Sequence, residues 1–175
     1  MEQNNYGGKN YQIKAEKIGW VGDLYQNSSV TGQELLNRGI QLLKNQAYRE
    51  AIDVLSDATK TDPSLSDAYY YLAIALLSGK KPKKTDGWTI TSIEEKLNSA
   101  VYGDATSSKS YVLWAIVKYG YYAMNGFIEN SPTSAQLFSQ GESIQAEHAR
   151  EILYYLNDPQ NRYWMYLHNK FGITN

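Results

Sequence analysis

Small and apolar side chains recur between residues 32 and 65 at the spacing of two packed helices, and this pattern constrains the fold more than any other feature. Thr31-Gly32-Gln33-Glu34 predicts the start of the first helix, because it forms a capping box in which hydroxyl and carboxylate satisfy early amides. Pro63 predicts the end of the second helix, since the residue before a proline disfavours the helical region. The pattern therefore indicates a helical hairpin. Its inward-facing positions are Leu35, Gly39, Leu42, Ala51, Leu55 and Ala58.

This hairpin resembles the tetratricopeptide repeat, a helix-turn-helix unit of about 34 residues that stacks into arrays. In that family a small residue in the first helix lets the second helix pack closely, alanines space the second helix, and a proline ends it. Gly39, Ala51, Ala58 and Pro63 occupy those positions. Leu35 stands where the family often has tryptophan, and it keeps the apolar character. The resemblance implies an α-solenoid.

A second unit follows one repeat length further along the chain. Tyr69 and Leu72 lie where its first helix needs apolar residues, and Ser78-Gly79 predicts the end of that helix. A lysine-rich insertion, residues 80–87, delays the partner helix. Thr91-Ser92-Ile93-Glu94 is another capping box, so we expect the partner helix to begin there and the insertion to be a solvated surface loop outside the repeat.

A third, more degenerate unit completes the repeats. Tyr111 and Trp114 predict a helix that runs to about Met124 and ends at Asn125-Gly126. After a loop, Ser139-Gln140-Gly141-Glu142 predicts the start of the partner helix.

One more helix is expected at the end of the chain. Asp158-Pro159 is typical of an N-cap followed by a proline in the first helical position, and Gly172 is expected to end this helix. We therefore predict an all-α fold over residues 29–175, a tetratricopeptide-like solenoid of about three helical pairs plus a capping helix.

Residues 1–28 have a different pattern. Tyr11 and Ile13 alternate with polar residues, which predicts a short β-like arm, although a disordered leader is the alternative. A strand with unpaired edges recruits another strand, and Trp20 and Tyr25 would add aromatic contacts. We expect this arm to serve assembly, as a homo-oligomer or with a partner.

Composition excludes several classes of protein. The chain has 17 Lys and Arg against 18 Asp and Glu, a net charge of -1, which argues against nucleic acid as the main partner. The absence of cysteine excludes disulfides and thiolate chemistry and fits a reducing, cytoplasmic compartment. No apolar run reaches the length of a membrane span, and the polar start lacks the apolar segment of a signal peptide.

The sequence contains no pattern that predicts catalysis. It lacks the glycine-rich phosphate loops and the G-x-S-x-G nucleophile turn. His148 and Glu151 lie one helical turn apart, but a zinc site needs further ligands, so an ordinary charged face is the preferred interpretation. Glu94 and Glu95 are explained by the dipole of a helix whose first turn they are expected to occupy. We expect no enzyme, no cofactor and no metal site.

The lysine-rich insertion is a candidate site for an anionic partner. It places Lys80, Lys81, Lys83 and Lys84 beside Trp88. Cations and a stacking ring together are typical of single-stranded nucleic-acid binding, but the footprint is small, and an acidic protein segment fits it better.

Two short segments carry a weaker resemblance. Residues 76–82 and 121–127 resemble parts of repeat proteins in bacterial conflict and signalling systems. That resemblance implies the alternative function: a sensor or effector component of a bacterial defence complex that contacts nucleic acid through Lys80–Lys84.

The 16 tyrosines carry the main functional hypothesis. In helical solenoids the first helices of successive pairs line a concave surface where partners dock, and tyrosine supplies large contact area at low entropic cost. About half of the tyrosines are expected in the core, and the rest leave an aromatic groove. We therefore predict a protein-protein interaction module, an adaptor or regulatory subunit that binds a peptide or protein. The candidate groove residues are Asn37, Gln41, Tyr70, Lys109 and Lys118.

Overall fold

The computed structural model describes residues 30–171, and this part of the chain is helical, without strands. The predicted arm residues Tyr11, Ile13, Trp20 and Tyr25, and the helix stop at Gly172, lie outside the described residues. The all-α prediction is confirmed for the described part. Its helices are α1 (Gly32–Lys44), α2 (Tyr48–Thr61), α3 (Ser66–Leu77), α4 (Gly87–Gly103), α5 (Ser108–Tyr121), α6 (Ser134–Gln140), α7 (Ala146–Tyr155) and α8 (Arg162–Phe171).

The first helical pair, α1 and α2, forms as the sequence predicts. Thr31 caps α1: its hydroxyl accepts from the Glu34 amide at 3.2 Å, and the Glu34 carboxylate accepts from the Thr31 amide at 2.8 Å. Gly39 is buried beneath Leu55, so a Cβ at this position would collide with the Leu55 side chain. Because the glycine has no side chain, the two helices approach closely and bury Ala51 and Ala58 completely.

The second pair, α3 and α4, differs from the prediction at the start of α4. Helix α3 ends at Leu77, as expected, and Ser78 adopts the left-handed conformation with φ 50°. The prediction that α4 begins at Thr91 is wrong, because α4 begins at Gly87 and its N-cap is Asp86. The Asp86 carboxylate accepts from the amide and hydroxyl of Thr89 at 2.9 and 2.8 Å.

The third pair consists of α5 and a helix that the sequence interpretation treated as a loop. Helix α5 ends at Tyr121, and a 3-10 turn (Ala123–Asn125) leads to Gly126 at φ 76°. Helix α6 is capped by Thr133, whose hydroxyl accepts from the Gln136 amide at 3.3 Å. The capping box expected at Ser139 is therefore wrong, since Ser139 lies in the last turn of α6.

The C-terminal helices α7 and α8 follow the three pairs, so the described chain has one helix more than predicted. The expected N-cap at Asp158 is wrong, because Asp158 and Pro159 lie before the helix. Asn161 occupies the cap position instead, and its side-chain oxygen accepts from the Tyr163 amide at 3.1 Å.

Consecutive helices pack against each other from α1 to α6, and α7 and α8 pack against α5 and against each other. One apolar core runs from Leu36 in α1 to Leu167 in α8. None of the helices among residues 30–171 is long and apolar enough to cross a membrane.

Candidate functional site

The five predicted groove residues are not brought together on one open surface. Asn37 and Gln41 are exposed on α1, and the Asn37 side chain accepts a hydrogen bond from Gln33 at 3.1 Å. Tyr70 and Lys118, in contrast, are 0 % and 2 % exposed. These two side chains therefore contact other parts of the same chain and are closed to a partner.

Tyr70 is buried at the junction of α3 with α5. The Lys109 ammonium lies 4.7 Å from the centre of its ring, and the same ammonium pairs with Asp67 at 2.8 Å. Burial, and then the charge of Glu151, raise the pKa of Tyr70 well above its ordinary value. The adjacent Tyr71 is 8 % exposed, so the tyrosine run of α3 belongs mainly to the core.

Lys118 is held inside the protein by a polar network. Its ammonium lies 3.0 Å from Glu94 Oε1 and 2.6 Å from Asn130 Oδ1. Glu94 Oε1 also accepts from Trp114 Nε1 at 3.2 Å, and Glu94 Oε2 accepts from the Tyr122 hydroxyl at 3.0 Å. We call these five residues the Glu94 network. Its charges are paired and hydrogen-bonded, as burial of charge requires.

The three donors to Glu94 lie on one face of α5 and its C-cap residue, Tyr122. Trp114, Lys118 and Tyr122 are spaced by four residues, which places them one above another along a helix. Burial, followed by the charge of Glu94, raises the pKa of Tyr122 to about 12. The expectation that Glu94 lies in the first turn of a helix and serves only its dipole is wrong, because α4 begins seven residues earlier.

Helices α7 and α8 contact the first helices of the second and third pairs. The Tyr71 hydroxyl donates to Glu151 Oε2 of α7 at 3.0 Å. Asn161 Nδ2 donates to the Ile116 carbonyl of α5 at 2.8 Å. The expected concave surface is therefore covered at these positions by the C-terminal part of the chain.

The lysine-rich segment is ordered against the helical body. A 3-10 turn (Pro82–Lys84) buries Pro82, and Thr85 is 7 % exposed, its hydroxyl donating to the Lys81 carbonyl at 3.1 Å. Lys81 lies 3.8 Å from the buried carboxylate of Asp158. The expectation of a solvated loop outside the repeat is therefore wrong. Lys80, Lys83 and Lys84 are exposed.

An open aromatic cleft lies beside this turn. It has a volume of about 560 Å³ and is lined by residues from the start of α4 and the end of α5, and we call it the Trp88 cleft. Trp88 is 90 % exposed, although it is a large apolar side chain. Phe127 and Ile128 are 54 % and 94 % exposed. The lining residues are Gly87, Trp88, Thr91, Tyr121, Tyr122 and Phe127.

The wall of the Trp88 cleft that Tyr121, Tyr122 and Phe127 form is held in place by contacts within the protein. The rings of Tyr121 and Tyr122 meet edge to face, with centres 4.9 Å apart, and Phe127 lies 5.6 Å from Tyr121. Tyr122 also donates its hydroxyl to Glu94, so the Glu94 network fixes one of the rings. A surface whose side chains are already ordered loses little entropy when a partner binds.

Two further clefts expose less aromatic surface, or contain more charged residues, than the Trp88 cleft. One, of about 440 Å³, lies between α1, α3 and α7 and contains Tyr154 and Tyr155. The other, of about 470 Å³, is polar and contains His148 and Lys109. Glu151 accepts from Tyr71, and among the described residues no group of three or more His, Asp and Glu side chains is arranged to hold a metal ion.

Sequence reasoning does not find the role of Glu94 in its network, nor the exposure of Phe127 and Ile128. For Glu94 a signal existed, because the four-residue spacing of Trp114, Lys118 and Tyr122 places three donors on one helix face. For Phe127 the sequence contains no such signal, since only the fold places it in the same cleft as Trp88. Comparison of this chain with protein-family models, with curated proteins and with solved structures finds no match.

Proposed function

We propose that this chain is a protein-recognition module and that the Trp88 cleft is its contact surface. The observation that carries the proposal is that two large apolar side chains, Trp88 and Phe127, line this cleft and remain exposed, and that the next residue, Ile128, is exposed as well. Clustered exposed apolar groups mark interaction sites on soluble proteins. Tryptophan is also the residue type most enriched among those that dominate binding energy.

The proposed binding surface is not the concave face that the sequence predicts. It lies where α4 of the second pair begins and α5 of the third pair ends. Tyr70 and Lys118, two of the residues first expected in a groove, are buried and support the fold instead. The stacked pairs α1–α2, α3–α4 and α5–α6 favour a tetratricopeptide-like scaffold, and an adaptor or regulatory subunit is the role such scaffolds fit.

The experiment compares two exposed aromatic residues of the same helix. Trp88→Ala removes the proposed anchor, and Tyr102→Ala is the matched control, since Tyr102 is 92 % exposed and lies 14 residues further along α4, about 21 Å away. The full-length chain and both variants are used to isolate partners from the native host, and each purified partner is titrated by calorimetry.

We expect the Trp88→Ala variant to bind at least tenfold more weakly and the Tyr102→Ala variant to bind within twofold of the unchanged protein. Both variants should melt like the unchanged protein, because both side chains are exposed. Equal binding by the Trp88→Ala variant would refute the proposal.

A further inference from the structure

The lysine-rich turn and the Trp88 cleft are parts of one rigid unit. Pro82 lies against Gly120 of α5, where even a methyl group would come within 2.9 Å of the proline Cβ. Asn125 Nδ2 donates to the Lys83 carbonyl at 3.2 Å and to the Tyr121 carbonyl at 2.8 Å. The same amide therefore holds the backbone of the turn to the end of the helix that forms the cleft wall.

This unit carries a surplus of positive charge. Lys81 is directed to Asp158, while Lys83 and Lys84 are exposed and pair with no carboxylate among residues 30–171. Asp86, in the same segment, is committed to the cap of α4 through Thr89. The hydrogen bonds from Thr89 lower the pKa of Asp86, so this carboxylate stays ionised and in place. Three exposed lysines of the segment, Lys80, Lys83 and Lys84, thus have no ion pair among the described residues, and Lys83 and Lys84 lie in the turn itself.

From this juxtaposition of exposed lysines and an exposed tryptophan, we infer that the partner is an acidic, extended protein segment. Its apolar side chain packs against Trp88 in the cleft, and its carboxylates pair with Lys83 and Lys84. The inference rests on the proposed function and specifies the chemistry of the partner. Charge complementarity of this kind steers encounter and fixes orientation, and salt screens it.

The geometry favours a protein segment over single-stranded nucleic acid. Nucleic acid needs a cationic track and several ring faces on which successive bases stack. In the cleft, Tyr121 and Tyr122 meet at 85° rather than presenting parallel faces, and the Tyr122 hydroxyl is held by Glu94. Trp88 is left as the main free ring face, and the chain as a whole has a net charge of -1.

The test uses a library of random twelve-residue peptides displayed on phage and selected on the full-length chain, with the Trp88→Ala variant as counter-selection. The selected peptides are synthesised, and their affinities are measured by fluorescence anisotropy across a salt series. The charge variant is Lys83→Gln with Lys84→Gln. The matched control is Lys44→Gln with Lys60→Gln, which removes two exposed lysines from other helices. A fluorescein-labelled oligothymidine of about 20 nucleotides is the competing probe.

We expect the selected peptides to combine Asp or Glu with one aromatic or aliphatic residue. Their affinity should fall at least threefold in the Lys83/Lys84 variant, remain within twofold in the control, and weaken as salt rises. The inference would be overturned, with the proposed function intact, if the selected peptides require Trp88 but carry no acidic residues. The same holds if their affinity is unchanged in the Lys83/Lys84 variant.

The inference would be overturned in favour of nucleic acid if oligothymidine binds more tightly than every selected peptide and loses this binding in the Trp88→Ala variant.

The proposed function fails separately, on the partners isolated from the host. It fails if they bind the Trp88→Ala variant as well as the unchanged protein. A selection that yields no Trp88-dependent peptide would overturn the inference of a linear segment, because a short extended chain would then lack the required affinity.

Discussion

Between α1 and α2 the helix contact consists of small and apolar side chains, with Leu55 lying over Gly39. Between α4 and α5 the contact is crossed by a carboxylate, an ammonium and two aromatic donors, all joined at Glu94. Both contacts join neighbouring helices of the same body. The first depends on shape, so it tolerates any residue that fits, whereas the second depends on particular partners and fails when one of them is missing.

The largest effect is expected where the polar contact is broken on one side. Glu94→Ala leaves the Lys118 ammonium, 2 % exposed, without its carboxylate, and should cost about 3 to 5 kcal/mol of unfolding free energy. Urea denaturation of the full-length protein measures the loss.

The control for that prediction removes both charges at once. Glu94→Gln combined with Lys118→Met should lose much less stability than Glu94→Ala, because no uncompensated charge stays buried. Equal losses for the single and double variants would mean that packing, rather than charge pairing, holds α4 to α5.

A smaller loss is expected where the apolar contact is overfilled. Ala51 is fully buried between α1 and α2, and Ala51→Leu should cost about 1 to 3 kcal/mol. Asp53→Leu on the exposed side of the same helix is the control and should change the unfolding free energy by less than about 0.5 kcal/mol. An unchanged melting temperature for Ala51→Leu would contradict the close packing of this pair.

The smallest effect is expected at Asp158, a buried carboxylate without hydrogen bonds of the kind that Glu94 accepts. Asp158 is 1 % exposed and neither of its oxygens has a hydrogen-bond partner among the described residues, while Lys81 lies 3.8 Å away. Burial raises the pKa of Asp158 above 3.8. Asp158→Asn should change the unfolding free energy at neutral pH by less than about 1 kcal/mol, in the stabilising direction.

The pH dependence gives the sign of that effect. A carboxyl group whose pKa is raised on folding stabilises the folded state fully below its unfolded pKa, and this contribution is lost as pH rises through the folded pKa. The unfolding free energies of the variant and the unchanged protein should therefore agree below pH 3.8 and separate as pH rises, the variant becoming the more stable. A difference that is independent of pH would contradict burial of this carboxyl group.

The same contrast explains what the sequence could predict. The start of α1 and the end of α2 follow from local signals, the capping box at Thr31 and the proline at position 63. Their packing follows from the periodic spacing of small and apolar residues such as Gly39. The predicted start of α4 at Thr91 is wrong because Thr91-x-x-Glu94 has the spacing of a capping box but lies inside the helix, whose N-cap is Asp86 through its bond to the Thr89 amide. The sequence analysis does not predict α6, because a helix of seven residues leaves little periodic pattern. Its one local signal is the capping-box spacing of Thr133 and Gln136.

The candidate site was less predictable than the fold. Lys83, Lys84 and Trp88 could be singled out from their clustering in the sequence alone. Phe127 could not, because its place in the same cleft as Trp88 depends on the turn after α5. Tyr70 and Lys118 were misassigned for the opposite reason: polar side chains can be buried when partners on another helix satisfy or cover them, and no local pattern records such partners.

The Glu94 network also defines a fingerprint by which relatives of this chain can be recognised. A carboxylate is followed 20, 24 and 28 residues later by an indole, an ammonium and a phenol on one helix face. Because loss of one member leaves the others unsatisfied, substitutions at these positions are expected to be inherited together or compensated jointly. A chain that keeps this spacing is therefore expected to keep the contact between α4 and α5 that fixes Tyr122 in the wall of the cleft.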